Sequence, residues 1–260
     1  MLKSSRNALI IFAKRPAPGR VKTRLSPPLS LEEAAELYRC MLEDILEKVS
    51  ALSGVDRHIF YEPGESAAAF FEQAAPGMTS TPQQGEDMGE RMSNAFAEMF
   101  DAGYEQAAVI GTDIPDIPLE FVAEAFDRLE SNEVNAVFGP SEDGGYYLLA
   151  MRKLHAELFR GIRWSSGEVL EKSLERAKEA GIGVSLLPVW HDVDTAEDLK
   201  RPELLDEGNG APRTREFINP STSAPCCALN STVCGTVQIV RRLADGSYKS
   251  DDNNRNKHQQ

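Results

Sequence analysis

Short apolar segments alternate with amphipathic segments along the chain, and this alternation limits the possible fold more than any other feature. Residues 8–13 and 107–111 are apolar runs between polar neighbours, which is typical of strands buried on both faces in a parallel sheet. Residues 31–52 repeat apolar side chains at helical spacing, and Ser30 and Glu33 have the spacing of a capping box. Strands that alternate with helices predict an α/β fold with a mainly parallel central sheet.

The same periodicities predict the remaining elements. Further strands are predicted at 58–61, 136–138, 146–151 and 184–189. Further helices are predicted at 65–75, 88–99, 119–131 and 167–180, with a last helix that begins near Thr195. The predicted fold is a layered sandwich of helices and a central sheet. Its predicted strands end in polar clusters, and ligands of such sheets bind outside the carboxyl ends of the strands.

Charge and composition narrow the function classes. The 260 residues carry a formal net charge of −13, which argues against a nucleic-acid partner. No apolar run reaches 18 residues and no signal peptide is evident, so we expect no membrane span and a cytoplasmic protein. Composition changes near Phe217, and we expect one domain over 1–218 and a poorly ordered tail over 219–260, which holds three of the four cysteines.

A basic loop follows the first predicted strand. Residues 1–31 contain seven basic side chains and no acidic one, a pattern that favours a small anion as ligand. Gly19 and the prolines around it shape a tight loop, and four cations can neutralise phosphate oxygens there: Lys14, Arg15, Lys22 and Arg24. The Gly-Lys-Ser/Thr triplet of a P-loop and the GxGxxG fingerprint are both missing. An exposed basic turn is the alternative interpretation.

Acidic residues follow other predicted strands. Asp113 comes directly after 107–111, where a carboxylate can hold a divalent ion together with phosphate oxygens. Asp192 and Asp194 share one face if their segment is extended, and Asp143 precedes two glycines that permit close backbone approach to a ligand. The alternatives are an Asx turn at Asp113, a helix cap at Asp194 and a hairpin turn at 143–145.

Five blocks of this sequence together resemble a known family. They are KRPAPGRVKTRL (14–25), GTDIP (111–115), SEDGGYY (141–147), RWSS (163–166) and DVDTAEDL (192–199). As a set they resemble the radical SAM/selenodomain-associated transferase family, whose members are glycosyltransferase-like proteins of GT-A fold. They are also similar to nucleotidyltransferases of the molybdenum-cofactor and cofactor F420 guanylylation type. The Asp-x-Asp metal motif of GT-A enzymes is replaced by Thr112-Asp113-Ile114.

The resemblance implies a nucleotide-diphospho-sugar transferase dependent on Mg²⁺ or Mn²⁺. Base and ribose would lie near Ala13, and the nucleotide would contact Lys14, Arg15, Gly19, Lys22, Arg24, Gln84, Gly85 and Thr112. Asp113 would bind the metal, and Asp194 is the second metal ligand that its place in the extended segment suggests. The catalytic acidic residues would be Asp113, Asp143 and Asp192, with one of the last two accepting a proton from the acceptor.

Two reactions and one non-catalytic role remain open. Glycosyl transfer from a nucleotide sugar to a small acceptor, the preferred interpretation, releases a nucleoside diphosphate. Nucleotidyl transfer from a nucleoside triphosphate to a phosphorylated small molecule releases pyrophosphate. The third hypothesis is a nucleotide-binding sensor without activity.

Overall fold

The computed structural model describes residues 5–164 and 166–220, so the predicted tail lies almost entirely outside the described residues, as do Cys226, Cys227 and Cys234. The described residues form one sheet of seven strands in the order β3-β2-β1-β4-β6-β5-β7, in which only β6 runs antiparallel to its neighbours. The strands are β1 (Asn7–Ala13), β2 (Val55–Tyr61), β3 (Thr79–Pro82), β4 (Gln106–Ile110), β5 (Ala136–Pro140), β6 (Tyr146–Met151) and β7 (Val184–Leu186). The predicted α/β class with a mainly parallel sheet is confirmed.

Helices cover both faces of the sheet. They are α1 (Leu31–Ser50), α2 (Ala67–Ala74), α3 (Met88–Asp101), α4 (Leu119–Leu129), α5 (Val169–Glu179), α6 (Pro202–Leu205) and α7 (Pro212–Ile218). The capping box predicted at Ser30 is confirmed, because its hydroxyl accepts from the Glu33 amide while the Glu33 carboxylate accepts from the Ser30 amide. No helix of the described ranges combines the length and the apolar character that a membrane crossing requires.

The central strand β1 packs against a helical layer on each face, which explains its unbroken apolar run. Leu9 and Ile11 belong to a core cluster with α1 and α4, whereas Ile10 lies in a second cluster on the opposite face with Phe96 of α3. Successive side chains of a strand point to opposite faces, so a strand covered on both sides needs apolar residues at every position.

The last described helix closes the domain against α1. The fully buried carboxylate of Asp44 accepts hydrogen bonds from the backbone amides of Arg213 and Thr214, which satisfies two amides at the start of α7. Ile218 packs into a third apolar cluster with Leu25 and Met41. The packed part of the domain therefore extends at least to Ile218.

Three elements of the structure differ from what the sequence predicts. The edge strand β3 was not predicted, because its sequence Thr-Ser-Thr-Pro lacks an apolar pattern. Strand β7 ends at Leu186 rather than at 189, close to Pro188, which cannot donate to a ladder. The helix expected from Thr195 is wrong: the Asp198 carboxylate accepts from the amides at 194 and 195, a 3-10 turn follows over Asp198–Lys200, and the short helix α6 begins only at Pro202.

Candidate active site

The polar segments that follow β1, β4, β5 and β7 meet at the carboxyl edge of the sheet. A backbone hydrogen bond of 2.8 Å from the Val193 amide to the Asp113 carbonyl joins the segment after β7 to the segment after β4. This bond sets Asp113 and Asp194 side by side, although 80 residues separate them in the sequence. The edge is where a doubly wound sheet binds its ligands.

Lys22 lies between these two carboxylates. Its Nζ is 2.6 Å from Asp113 Oδ1 and 2.9 Å from Asp194 Oδ1, and its side chain is only 4% exposed. Burial opposes the ammonium charge, but the two carboxylates outweigh burial and raise the pKa of Lys22 above its usual value. Lys22 is therefore a charged, buried link between the loop after β1 and the two acidic segments.

Asp192 lies beside the same cluster. Burial, followed by the negative charges of Asp113, Asp143 and Asp194, raises the pKa of Asp192 from its usual 3.8 to about 7. The structure thus brings four of the predicted acidic residues within electrostatic reach of one another. A carboxyl group that titrates near neutral pH can accept or donate a proton during a reaction.

Asp143 is held in place by its own loop. Its Oδ1 accepts a 2.9 Å hydrogen bond from the Gly145 amide and another from the Ser141 hydroxyl. Gly144 has φ of 85°, and a Cβ there would lie 2.0 Å from the carbonyl oxygen of Gly167. Only glycine fits this position, so the loop after β5 packs directly on the segment before α5.

A buried tyrosine fixes the ends of β1 and β4. The Tyr38 hydroxyl accepts from the Lys14 amide at 2.9 Å and lies 2.7 Å from Thr112 Oγ1. Burial raises the pKa of Tyr38 to about 12, so the hydroxyl stays neutral. Sequence reasoning assigned Tyr38 only to the apolar face of α1. The available signal was the residue type, because a buried tyrosine hydroxyl usually finds a hydrogen-bond partner.

The other predicted nucleotide contacts lie around this cluster. Ala13 is buried at the end of β1, and the exposed Arg24 guanidinium is 3.8 Å from Asp194 Oδ2. Gln84 and Gly85 follow β3, about 10 Å from β1 at the usual strand spacing. Their carbonyl groups accept hydrogen bonds from Asn94 and Arg91 of α3. The structure therefore places them on the same edge but away from Lys22.

The acidic residues suit a hard divalent cation only in part. Asp113 and Asp194 converge on one cation already, the Lys22 ammonium, and two carboxylates with phosphate oxygens are a usual ligand set for Mg²⁺. Within the described ranges, however, no group of three or more His, Cys, Asp or Glu side chains is arranged to hold a metal. The residues fit a cation that arrives with a phosphorylated ligand.

Comparison with known proteins gives the family. Residues 45–166 match the family model described as "Uncharacterized protein conserved in bacteria (DUF2064)". A proposed nucleotide-diphospho-sugar transferase from Desulfovibrio desulfuricans G20 has a crystal structure with 36% sequence identity and a TM-score of 0.74, covering 82% of this chain and 95% of its own. The chain belongs to the DUF2064 family.

Curated relatives of this DUF2064 protein are named 2-phospho-L-lactate guanylyltransferases. The protein from Methanothermobacter thermautotrophicus is 27% identical, covering 76% of this chain and 83% of its own, and the one from Methanobrevibacter ruminantium is 26% identical, covering 76% and 84%. These comparisons identify a transferase and favour the nucleotidyl alternative over sugar transfer. The narrower radical SAM/selenodomain association stays a prediction.

Proposed function

We propose that this DUF2064 protein transfers a nucleoside monophosphate from a nucleoside triphosphate to a phosphorylated small molecule and releases pyrophosphate. The observation that carries the proposal is the match with guanylyltransferases over 76% of the chain. It replaces the sugar transfer that the sequence blocks favoured at first. The acceptor class follows from the relatives' name, which specifies a phosphorylated hydroxy acid.

The loop after β1 binds the triphosphate in this proposal. Lys14 and Arg24 are exposed cations, and Arg15 is partly exposed beside them. Arginine grips phosphate oxygens with a planar fork, and lysine adds a point charge, so the loop neutralises charge along the phosphate chain. Gln84, Gly85 and Thr112 line the nucleotide on either side of β1.

The acidic cluster of Asp113, Asp143, Asp192 and Asp194 acts on the phosphates that react. Mg²⁺ or Mn²⁺, held by Asp113 and Asp194 with phosphate oxygens, would neutralise charge on the departing diphosphate. An acceptor phosphate is already ionised at neutral pH, so its attack needs no strong base. Burial is the largest cause of the raised pKa of Asp192, and it persists when a metal neutralises Asp113 and Asp194, so a protonated Asp192 donates a hydrogen bond to that phosphate. Asp143, fixed by Ser141 and Gly145, orients the acceptor.

Glycosyl transfer is the second candidate, and two observations favour it. The Desulfovibrio desulfuricans relative, at 36% identity, is described as a nucleotide-diphospho-sugar transferase. A sugar acceptor hydroxyl must lose a proton, and a carboxylate with a raised pKa such as Asp192 is suited to accept it.

The products distinguish the two reactions. The protein is incubated with each nucleoside triphosphate and a set of phosphorylated hydroxy acids, and pyrophosphate is measured; in parallel, nucleotide sugars are supplied and nucleoside diphosphate is measured. We expect the wild type to release pyrophosphate only when the acceptor is present. Asp113→Asn should abolish this release, and the exposed control Asp127→Asn should retain it. Acceptor-dependent release of nucleoside diphosphate alone would overturn the proposal in favour of sugar transfer.

A further inference from the structure

The Lys22 ammonium fills the point between Asp113 and Asp194 that the proposed function assigns to the divalent cation. We propose that Lys22 and the divalent cation are alternative occupants of this point, and that nucleotide phosphates drive the exchange by giving the ammonium a new partner. The inference rests on the proposed function for the role of the metal, but its geometry is a property of the chain alone.

The contacts leave little room for both cations. Lys22 engages Oδ1 of each carboxylate, and its side chain is far more buried than those of Asp113 and Asp194, which are 47% and 37% exposed. The second oxygen of Asp194 already faces Arg24 at 3.8 Å. A divalent cation that approaches the exposed side therefore meets two positive side chains, and like charges oppose each other strongly where water is partly excluded.

The backbone around Lys22 is anchored, so the exchange needs only side-chain rotation. Val21 is buried, and the Leu25 amide donates to the Lys22 carbonyl at 3.0 Å while the Leu25 side chain is fully buried. Lys22 itself has φ of 47°, an unusual value for a residue with a Cβ. A long, flexible side chain on a fixed backbone can turn from the carboxylates to phosphates bound by the same loop.

The exchange couples metal binding to nucleotide binding. Without nucleotide, the metal must displace a paired ammonium that has no other partner among the described residues, so the affinity of the metal is low. With nucleotide, Lys22 pairs with phosphate, and Asp113 and Asp194 become available as ligands. By thermodynamic linkage the metal must raise nucleotide affinity by the same factor.

The test measures Mn²⁺ binding without nucleotide, from the electron paramagnetic resonance signal of free Mn²⁺. The proteins are the wild type, Lys22→Met and Lys22→Gly, and the glycine variant also accommodates the positive φ. Arg20→Met, which removes an exposed cation of the same loop, is the control. We expect both Lys22 variants to bind Mn²⁺ about tenfold more tightly than the wild type, within the range usual for coupled sites. The control should match the wild type.

Three results would overturn the inference. They are unchanged Mn²⁺ affinity in the Lys22 variants, an equal gain in Arg20→Met, and loss of the fold in both Lys22 variants, which would make the lysine a permanent structural link. None of these results depends on which reaction the enzyme catalyses. Failure of the proposed function would appear in the pyrophosphate assay instead.

Discussion

Asp192→Asn should make the protein more resistant to unfolding at alkaline pH. In the folded protein, burial and the charges of Asp113, Asp143 and Asp194 raise the pKa of Asp192 to about 7, whereas the unfolded chain keeps a value near 3.8. Between these two values the folded protein holds a proton that the unfolded chain has released. The free energy of unfolding therefore falls as the pH rises from about 4 to about 7, and the loss is complete above the folded-state pKa.

The size of the effect follows from the same values. A pKa raised from 3.8 to about 7 corresponds to at most about 4.5 kcal/mol, at about 1.4 kcal/mol per tenfold change in proton affinity. Asp192 is only partly buried, so solvent screening reduces this figure. Asparagine carries no charge at any pH. We expect the stability of the variant relative to the wild type to rise by about 1–2 kcal/mol between pH 5 and pH 8.

The assay is urea unfolding of both proteins at pH 5, 6, 7 and 8, with EDTA to remove divalent cations. Asp127→Asn on α4 is the control, because its side chain is exposed and forms no ion pair within the described residues. A stability difference between Asp192→Asn and wild type that does not change with pH, or that changes equally in the control, would refute the reasoning.

Three further predictions follow from single contacts. Asp113→Asn should remove the difference in nucleotide affinity between Mn²⁺ and EDTA, as measured by titration calorimetry, and a retained difference would make Asp113 a turn residue only. Tyr38→Phe leaves the Lys14 amide and the Thr112 hydroxyl without their partner, and should lower the free energy of unfolding by about 1–3 kcal/mol in urea. Truncation after Pro220 should leave the melting temperature unchanged, whereas truncation after Phe217 removes the buried Ile218 and should lower it; equal melting temperatures would contradict the packing role of Ile218.

Local pattern was sufficient for most of the fold. The apolar run of β1 and the Ser30 capping box are short-range features, so the predicted strand at 8–13 and the start of α1 at residue 31 are confirmed within a residue. The meeting of polar clusters at one edge also follows from the sequence, because parallel strands direct their carboxyl ends the same way. Polar β3 carried no such pattern, because none of its four residues is fully buried.

Only the tertiary structure decided which side chains of the candidate site contact one another. No local sequence pattern predicts that Lys22 pairs with Asp113 and Asp194. The sequence analysis predicted instead that Lys22 contacts phosphate oxygens. The pairing exists because the chain after β7, which lies three places from β4 in the sheet, returns to bond with Asp113. Strand order and contacts between distant residues depend on which packed arrangement has the lowest free energy. Periodicity indicates only which faces of each element are buried. It therefore determined the helices and strands, but not which of them contact one another.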